Sequence, residues 1–331
     1  MEEIRKRMLS GIKPTGKLTL GNYIGALKQF ITYQDEYEMY IFIANLHALT
    51  LPIDAKELRN NTKDLISIYL AAGLDPEKVV LFKQSDVHEH AELGYVMTCM
   101  SNMGELGRMT QYKDKTKDMS VKESIPTGIF MYPTLMAADI ILYDADYVPV
   151  GVDQKQHVEL TRDLAIRFNS RYSETFKVPE PVLAKQGAKI YSLANPVKKM
   201  SKSESDKGTI YLLEDINISR KKIMSAVTDS DCIVKYDPEN KPGVSNLLVI
   251  ESSLSGVSIE DLEKKYATSN YGEFKKSVAD VVCKFLEELQ AKVKEIQSSG
   301  VIDKILEDGA MKASYVARKK LSKVYRKMGI N

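Results

Sequence analysis

The sequence predicts a doubly wound α/β domain followed by an α-helical bundle. Three observations carry that expectation. Strand-like and helix-like segments alternate through the first half of the chain, which calls for a parallel sheet with right-handed crossovers. After about residue 200 the alternation stops and helical periodicity takes over. Two loops, one glycine-rich and one lysine-rich, flank the alternating half, and sheets of this kind bind ligands at their loop ends. At 331 residues and 44% hydrophobic, the chain is long enough for roughly two domains with a large core. Plentiful apolar residues and a net charge of only +2 exclude an intrinsically disordered chain. The most apolar run, Ile125–Tyr143, is broken by Pro126, Gly128, Pro133 and Asp139, so a membrane is not an expected partner. The start, MEEIRKRML, lacks the apolar stretch of a secretory leader. Cys99, Cys232 and Cys283 are far apart and form neither a disulfide framework nor a metal-type pair, which fits a reducing cytoplasm.

Taken in order, Met8–Leu9 leads into a glycine-rich turn and a helix from about Leu20 to Tyr33. Glu38–Asn45 reads as a buried strand. Asp54–Ala72 reads as a helix capped by Asp54, with Glu57 three residues on and Leu58, Leu65 and Tyr69 near one face. Gly73 closes it. Val79–Gln84 is the next strand and Glu89–Asn102 the next helix. Lys113–Ile125 is polar and lysine-rich and predicts an exposed loop. Pro133 is expected to open a helix running to Tyr143, and Val148–Val150 is a short strand. Asp153 is expected to start a helix to about Phe168, with Gln156 at the capping-box position. Lys189–Leu193 and Thr209–Leu212 are the last strand-like segments. Segments 219–228, 259–267, 273–297, 301–308 and 310–328 are helical in pattern, so the second domain is expected to begin near residue 205. Residues 312–331 carry seven Lys and Arg and no acid. That basic helix either meets a phosphate backbone or is a solvated face near a negative helix end.

Ser10-Gly-Ile-Lys-Pro-Thr-Gly-Lys-Leu-Thr-Leu-Gly-Asn22 follows a strand and opens a helix. Gly21 there lets a second backbone or a flat ligand come close, and the free N–H groups of a helix start favour anions. The segment matches neither common nucleotide loop, and alone it reads first as a tight strand–helix turn. Lys198-Lys-Met-Ser-Lys-Ser203 is a cationic loop that can neutralise a polyphosphate; alone it reads first as a solvated basic loop. The decisive observation is that both occur together, in this order, at the two ends of an α/β domain.

At this point the chain resembles a known family. Thr19-Leu-Gly-Asn22 is similar to the HIGH signature of class I aminoacyl-tRNA synthetases, with Thr and Asn in place of the two His, and Lys199-Met-Ser-Lys-Ser203 is the full KMSKS signature. Leu20-Gly-Asn-Tyr-Ile-Gly-Ala26, Met136-Ala-Ala-Asp-Ile140, Val148-Pro-Val-Gly-Val-Asp-Gln-Lys-Gln-His157, Glu159-Leu-Thr-Arg-Asp163 and Lys241-Pro-Gly-Val-Ser-Asn-Leu247 narrow the resemblance to bacterial tryptophanyl-tRNA synthetases. It covers nearly the whole chain. It implies a Rossmann-type catalytic domain over 1–204, with an inserted segment of about 105–180 contributing to a homodimer interface, and a helical tRNA anticodon-binding domain over 205–331. It implies activation of L-tryptophan with ATP and Mg²⁺, then transfer to the tRNA; DNA is not an expected partner. The sister tyrosyl enzyme and a non-catalytic tRNA-binding paralogue are the rival readings. The MAADI and VPVGxDQKQH segments oppose the first, and the two intact ATP motifs oppose the second.

The resemblance implies catalytic roles for Lys199, Lys202, Thr19 and Asn22. It implies ATP contacts from Lys13, Pro14, Thr15, Gly21, Asn22, Gly151, Val152, Asp153, Ile190, Lys199, Met200, Ser201, Lys202 and Ser203, with Lys115 approaching the phosphates. Tryptophan contacts fall to Asp139, Tyr132, Met136, Gln154 and His47. Asp139 lies in an apolar helix, where a carboxylate is costly unless paired, and a carboxylate under an apolar slot can accept an indole N–H. Asp139 also reads as a solvent-facing residue of an amphipathic helix, Asp153 as a simple helix cap, and His47 as a strand-end structural histidine. Lys13 stands where many relatives have Gln, Val152 replaces a common Glu, and Asn45-Leu46 stands where relatives often have Asp-Gln. His88 and His90, two apart, point to different helix faces, so no metal cluster is expected.

Overall fold

The structure, a computed structural model, describes residues 5–116, 125–151, 154–183, 187–200 and 206–330; the side chains of Lys115, Leu183 and Asp206 are outside that description. Five strands run in chain order: β1 (Arg7–Ile12), β2 (Glu38–Ile43), β3 (Val79–Lys83), β4 (Tyr147–Val150) and β5 (Glu180–Leu183). They form one sheet in the order β3-β2-β1-β4-β5, parallel throughout. The order reverses between β1 and β4. A crevice opens there, beyond the carboxyl ends of those two strands, and such a switch point is where doubly wound sheets bind ligands.

The sheet is buried on both faces, and β2 shows why its sequence is a continuous apolar run. Met39, Ile41 and Ile43 face one core, with Met8, Leu65 and Ile66; Tyr40 and Phe42 face the other, with Phe82, Leu93 and Met97. Between β1 and β2 the chain is helical through α1 (Leu20–Asn22), a π-helical turn (Tyr23–Leu27) and α2 (Lys28–Thr32). The short α3 (Asn45–Ala48) and the long α4 (Ala55–Ala71) follow β2. Asp54 caps α4 by accepting the N–H groups of Lys56 and Glu57, as its position in the sequence implied. Between β3 and β4 lie α5 (Glu89–Met100), α6 (Met103–Gly107), α7 (Thr110–Thr116) and α8 (Thr127–Ile141); α9 (Lys155–Tyr172) precedes β5.

Several elements differ from the sequence expectation. α8 begins at Thr127, so Pro133 lies inside the helix instead of opening it. The helix loses one backbone bond there, but it is buried along its length from Ile129 to Ile141 against α5, and packing outweighs that cost. The start of the expected 113–125 loop is helical, as α7, and residues 117–124 fall outside the described part. The segments at 189–193 and 209–212 are not strands. Each makes a single bridge, Tyr191 with Lys199 and Thr19 with Tyr211. Asn246 explains the first: its amide accepts the Tyr191 N–H at 2.9 Å and donates to the Tyr191 carbonyl at 2.9 Å, taking both groups a neighbouring strand would need.

The carboxyl-terminal part holds α10 (Ile216–Met224), α11 (Pro242–Ser255), α12 (Ile259–Lys265), α13 (Tyr271–Ser299) and α14 (Val301–Met328). α11 carries apolar residues nearly all round, with Val244, Leu247, Leu248 and Ile250 buried, so it shows no helical period in the sequence. Its core is shared with Leu20, Ile24, Ile190 and Met200, which ties the bundle to both signature segments. α14 is one helix where two were expected. It leaves the bundle and returns to the sheet, packing on β3 and α5 through Ala313, Ala317 and Leu321. Gly309 permits the crossing, since a Cβ there would lie 1.9 Å from the Leu81 carbonyl oxygen.

Candidate active site

Two cavities meet at the switch point. The smaller, of about 340 Å³, lies between the ends of β1 and β2, α3, α8 and β4, and its wall includes Phe42, Ala44, Met136, Ile140 and Val148. The wider cleft, of about 650 Å³, runs along α1 and α2 to Gly187–Ile190 and Lys199. Ser10, Gly11, Lys13, Pro149, Val150 and Gly151 line both, so they form the seam between them. Both volumes lie within the range of small-molecule sites.

At the floor of the smaller cavity, Asp139 projects from α8 and is fully buried. Three side chains donate to it. His90 Nδ1 is 2.7 Å from Oδ1, His47 Nε2 is 2.8 Å from Oδ2, and Gln84 Nε2 lies 2.8 Å from Oδ1 and 3.0 Å from Oδ2. Burial alone would raise the Asp139 carboxyl, but the hydrogen bonds from His47 and His90 prevail and hold it down to about 2. The magnitudes agree with that outcome. Burying one carboxylate costs several kcal/mol, and each hydrogen bond to an ionised group returns roughly 1.5–3 kcal/mol. An ionised carboxylate only accepts, so both histidines must present N–H to it. Tyr143 OH lies 2.7 Å from His90 Nε2, and burial pushes its phenol well up, so the hydroxyl keeps a proton that it can donate to that nitrogen. Gln84 is oriented in turn: its Oε1 accepts the Leu46 N–H at 3.2 Å. Asn45 fixes the loop beside it, donating to Ser85 Oγ at 2.8 Å and accepting the Ser85 N–H at 3.1 Å.

Tyr132 and Gln154 stand at the mouth of the same cavity. Tyr132 OH is 2.7 Å from Nε2 of the buried His157 on α9, which fixes the phenol against the α8–α9 contact. Gln154 is the N-cap residue of α9, and its N–H donates to Gly151 O at 3.0 Å. Thus Asp139, Tyr132, Met136, Gln154 and His47, five residues from three stretches of sequence, line one cavity. Sequence reasoning missed Gln84, His90, Tyr143 and His157 as its support. A signal existed for two of them. Gln84 ends a buried strand, and His90 is the polar member of the apolar series His90, Leu93, Gly94, Met97 on α5. His88 is exposed, so the pair does diverge as its spacing required.

The cleft is built differently. Thr19 is fully buried and caps α1, accepting the Asn22 N–H at 3.1 Å, while Asn22 Oδ1 accepts the Thr19 N–H at 3.0 Å. Gly21 faces the other signature segment. A Cβ on Gly21 would lie 3.3 Å from Met200 Cβ and 3.5 Å from the Met200 carbonyl oxygen. Ile190 and Met200 are buried, and Met200 N–H donates to Ile190 O at 2.9 Å, which presents Lys199 at the cleft. Lys13 Nζ lies 3.4 Å from Thr50 Oγ1 at the seam; the next residue, Pro14, is buried, and the Thr15 N–H donates to Lys13 O at 2.9 Å. Val152, Asp153, Ser201, Lys202 and Ser203 lie outside the described residues, as does the Lys115 side chain. Among the described residues no group of three His, Cys, Asp or Glu could hold a metal ion.

The chain matches known proteins along its length. The model of the class I tRNA synthetases (W and Y) matches residues 1–287. The tryptophan–tRNA ligase of Bacillus anthracis is 51% identical over 325 residues, 98% of both chains, and that of Bacillus subtilis (strain 168) is 51% identical over 328 residues, 99% of this chain and 98% of the relative. The crystal structure of Campylobacter jejuni tryptophanyl-tRNA synthetase, complexed with ADP and tryptophan, superposes with a TM-score of 0.86 at 36% identity, covering 98% of this chain and 99% of that one. The chain therefore belongs to the class I aminoacyl-tRNA synthetases, in the branch of the bacterial tryptophan–tRNA ligases.

Proposed function

We propose that the smaller cavity takes L-tryptophan and the wider cleft takes ATP, so that the amino-acid carboxylate meets the α-phosphate at the shared seam. The observation that carries this is the buried, ionised Asp139 beneath an apolar slot at the switch point: it matches a flat apolar ring bearing one N–H donor. Tyr132 and Gln154 at the mouth suit the α-ammonium. A tryptophan carboxylate oxygen attacks the α-phosphorus, the bond to the bridging oxygen breaks, and pyrophosphate leaves. The terminal ribose 2′-hydroxyl of the tRNA then attacks the acyl carbon and AMP departs. Such displacements depend on positioning and charge stabilisation. Lys199 at the cleft, Lys202 in the same motif and Lys13 at the seam supply positive charge to the polyphosphate. Gly21 and Asn22 shape the nucleotide wall, with Thr19 holding the α1 cap behind them. Gly151 borders the ATP at the seam, the resemblance assigns the next two residues in sequence, Val152 and Asp153, to the nucleotide as well, and Ile190 packs against its base. Mg²⁺ carried with the ATP would lower the charge of the polyphosphate, and Lys13, Lys199 and Lys202 would hold its oxygens in place.

The helices after residue 205 read the anticodon, and the enzyme works as a homodimer in the cytoplasm. Exposed Ile166, within the segment of about 105–180 expected to form the interface, provides apolar surface of the kind an interface covers.

Amino-acid-dependent exchange of pyrophosphate into ATP tests the activity. Tryptophan should support it and tyrosine should not; no exchange with any amino acid would reject the reading. The chain has no Trp against 18 Tyr, so bound substrate supplies the only indole. Exciting that indole selectively should give a saturable emission change, and Asp139→Ala should weaken the affinity about 10- to 100-fold.

A further inference from the structure

The Asp139 carboxylate is more fully occupied than a recognition group needs to be. Two oxygens offer about four acceptor positions. Oδ1 faces His90 Nδ1 and Gln84 Nε2; Oδ2 faces His47 Nε2 and, at 3.0 Å, the same Gln84 amide. An incoming ring N–H therefore has to replace a donor. The three donors are not equivalent. Gln84 and His90 are fully buried on the far side of the carboxylate, and each is fixed from behind, Gln84 by the Leu46 N–H and His90 by Tyr143 OH. His47 sits on the four-residue helix α3, keeps 12% of its side chain exposed and lines the cavity.

We propose that Tyr143 and His90, with Gln84, are positioning residues that tie one Asp139 oxygen into the wall and present the other to the cavity, and that His47 fills this second oxygen only until the substrate's ring N–H takes its place. The inference rests on the reading of the smaller cavity as the tryptophan site. Tyr143 donates its hydroxyl proton to His90 Nε2, which leaves the proton of the neutral imidazole on Nδ1, where Asp139 needs it. Without that relay His90 can adopt the other tautomer, turning a lone pair on the carboxylate. Rotation of the carboxylate would then move Oδ2 off the ring plane. The device gives selectivity for an N–H bearing ring through Asp139 alone, because Gln84 and His90, the donors that stay on it, do not line the cavity.

The test compares tryptophan with the analogue whose ring N–H is replaced by sulfur, in amino-acid-dependent pyrophosphate exchange. The wild-type enzyme should prefer tryptophan by about 10- to 100-fold. His90→Leu should lower kcat/KM for tryptophan by about that factor, mainly through KM, and change the sulfur analogue by less than about threefold. Tyr143→Phe, which keeps the ring packing, should lose part of the same preference. His90→Asn, whose amide can place an N–H near the Nδ1 position, should recover it. Equal losses on both substrates, or an unaltered preference in His90→Leu and Tyr143→Phe, would overturn the relay. Absence of tryptophan-dependent exchange in the wild type would instead overturn the reading of the cavity. A measurement on the unmutated protein guards against variants that fail to fold. The chain has four histidines, so their ring ¹⁵N resonances can be followed during a tryptophan titration. His47 Nε2 should shift and His90 Nδ1 should keep its proton; saturation of the site with no change at His47 would overturn the exchange.

Discussion

The two cavities share a seam and little else. The smaller one is closed by buried side chains whose polar atoms are committed to one another: Tyr143 to His90, His90, Gln84 and His47 to Asp139, and Tyr132 to His157. The wider one is walled by glycines, backbone and exposed lysine, with Gly21 against Met200 and Lys199 at the edge. The contrast teaches how the chemistry is divided. Rejecting a near-cognate ring requires a polar group that is left unpaired when the wrong ligand binds, and that demands burial and rigid support. Binding a polyphosphate requires donors and charge that can follow a changing ligand, and exposed lysines and close backbone approach provide them.

Substitutions on the two sides should separate accordingly, the largest effect falling on the cleft. Lys202→Ala should lower the activation rate by about 10²- to 10³-fold with tryptophan affinity nearly unchanged, read by single-turnover adenylate formation and indole emission. Equal activity would remove Lys202 from the chemistry. The next effect belongs to the smaller cavity and concerns stability. Asp139 is lowered from its ordinary 3.8 to about 2, so its contribution is fully present above about pH 4 and is lost as pH falls through about 2. Between those limits the wild type should lose on the order of 2 kcal/mol more than Asp139→Asn in urea unfolding. Parallel pH profiles would mean that the carboxylate is not held as described. The smallest effect tests the shared wall. Gly21→Ala pushes Met200 back by a few tenths of an ångström and should raise the KM for ATP several-fold while leaving the KM for tryptophan alone. If both constants rise together, the two cavities are coupled through α1.

Legibility in the sequence follows the same division. The alternating pattern and the capping residue Asp54 are local signals, and β1 to β4 and α4 fall close to where these place them. The signature loops were legible because both depend on residue type at fixed spacing. α11 was not, since a helix buried nearly all round carries no period. The segments at 191 and 211 read as strands because their side chains alternate, and no local signal reveals that the Asn246 amide occupies the Tyr191 backbone from 55 residues away. Spacing along the chain says of His90 only that it and His88 lie on different helix faces. Its role depends on what lies opposite, on α8, and spacing along α5 carries no information about that.

By itself, then, the sequence determined the periodicities, the caps and the motifs, and with them the fold class and the family, because each is a property of residues near one another in the chain. Only the tertiary structure decided which donors surround Asp139, that α14 returns to the sheet across Gly309, and that Gly21 meets Met200. Those are distances between segments brought together by burying a common core, and burial selects for shape and volume across the whole domain, information that no short window of sequence contains.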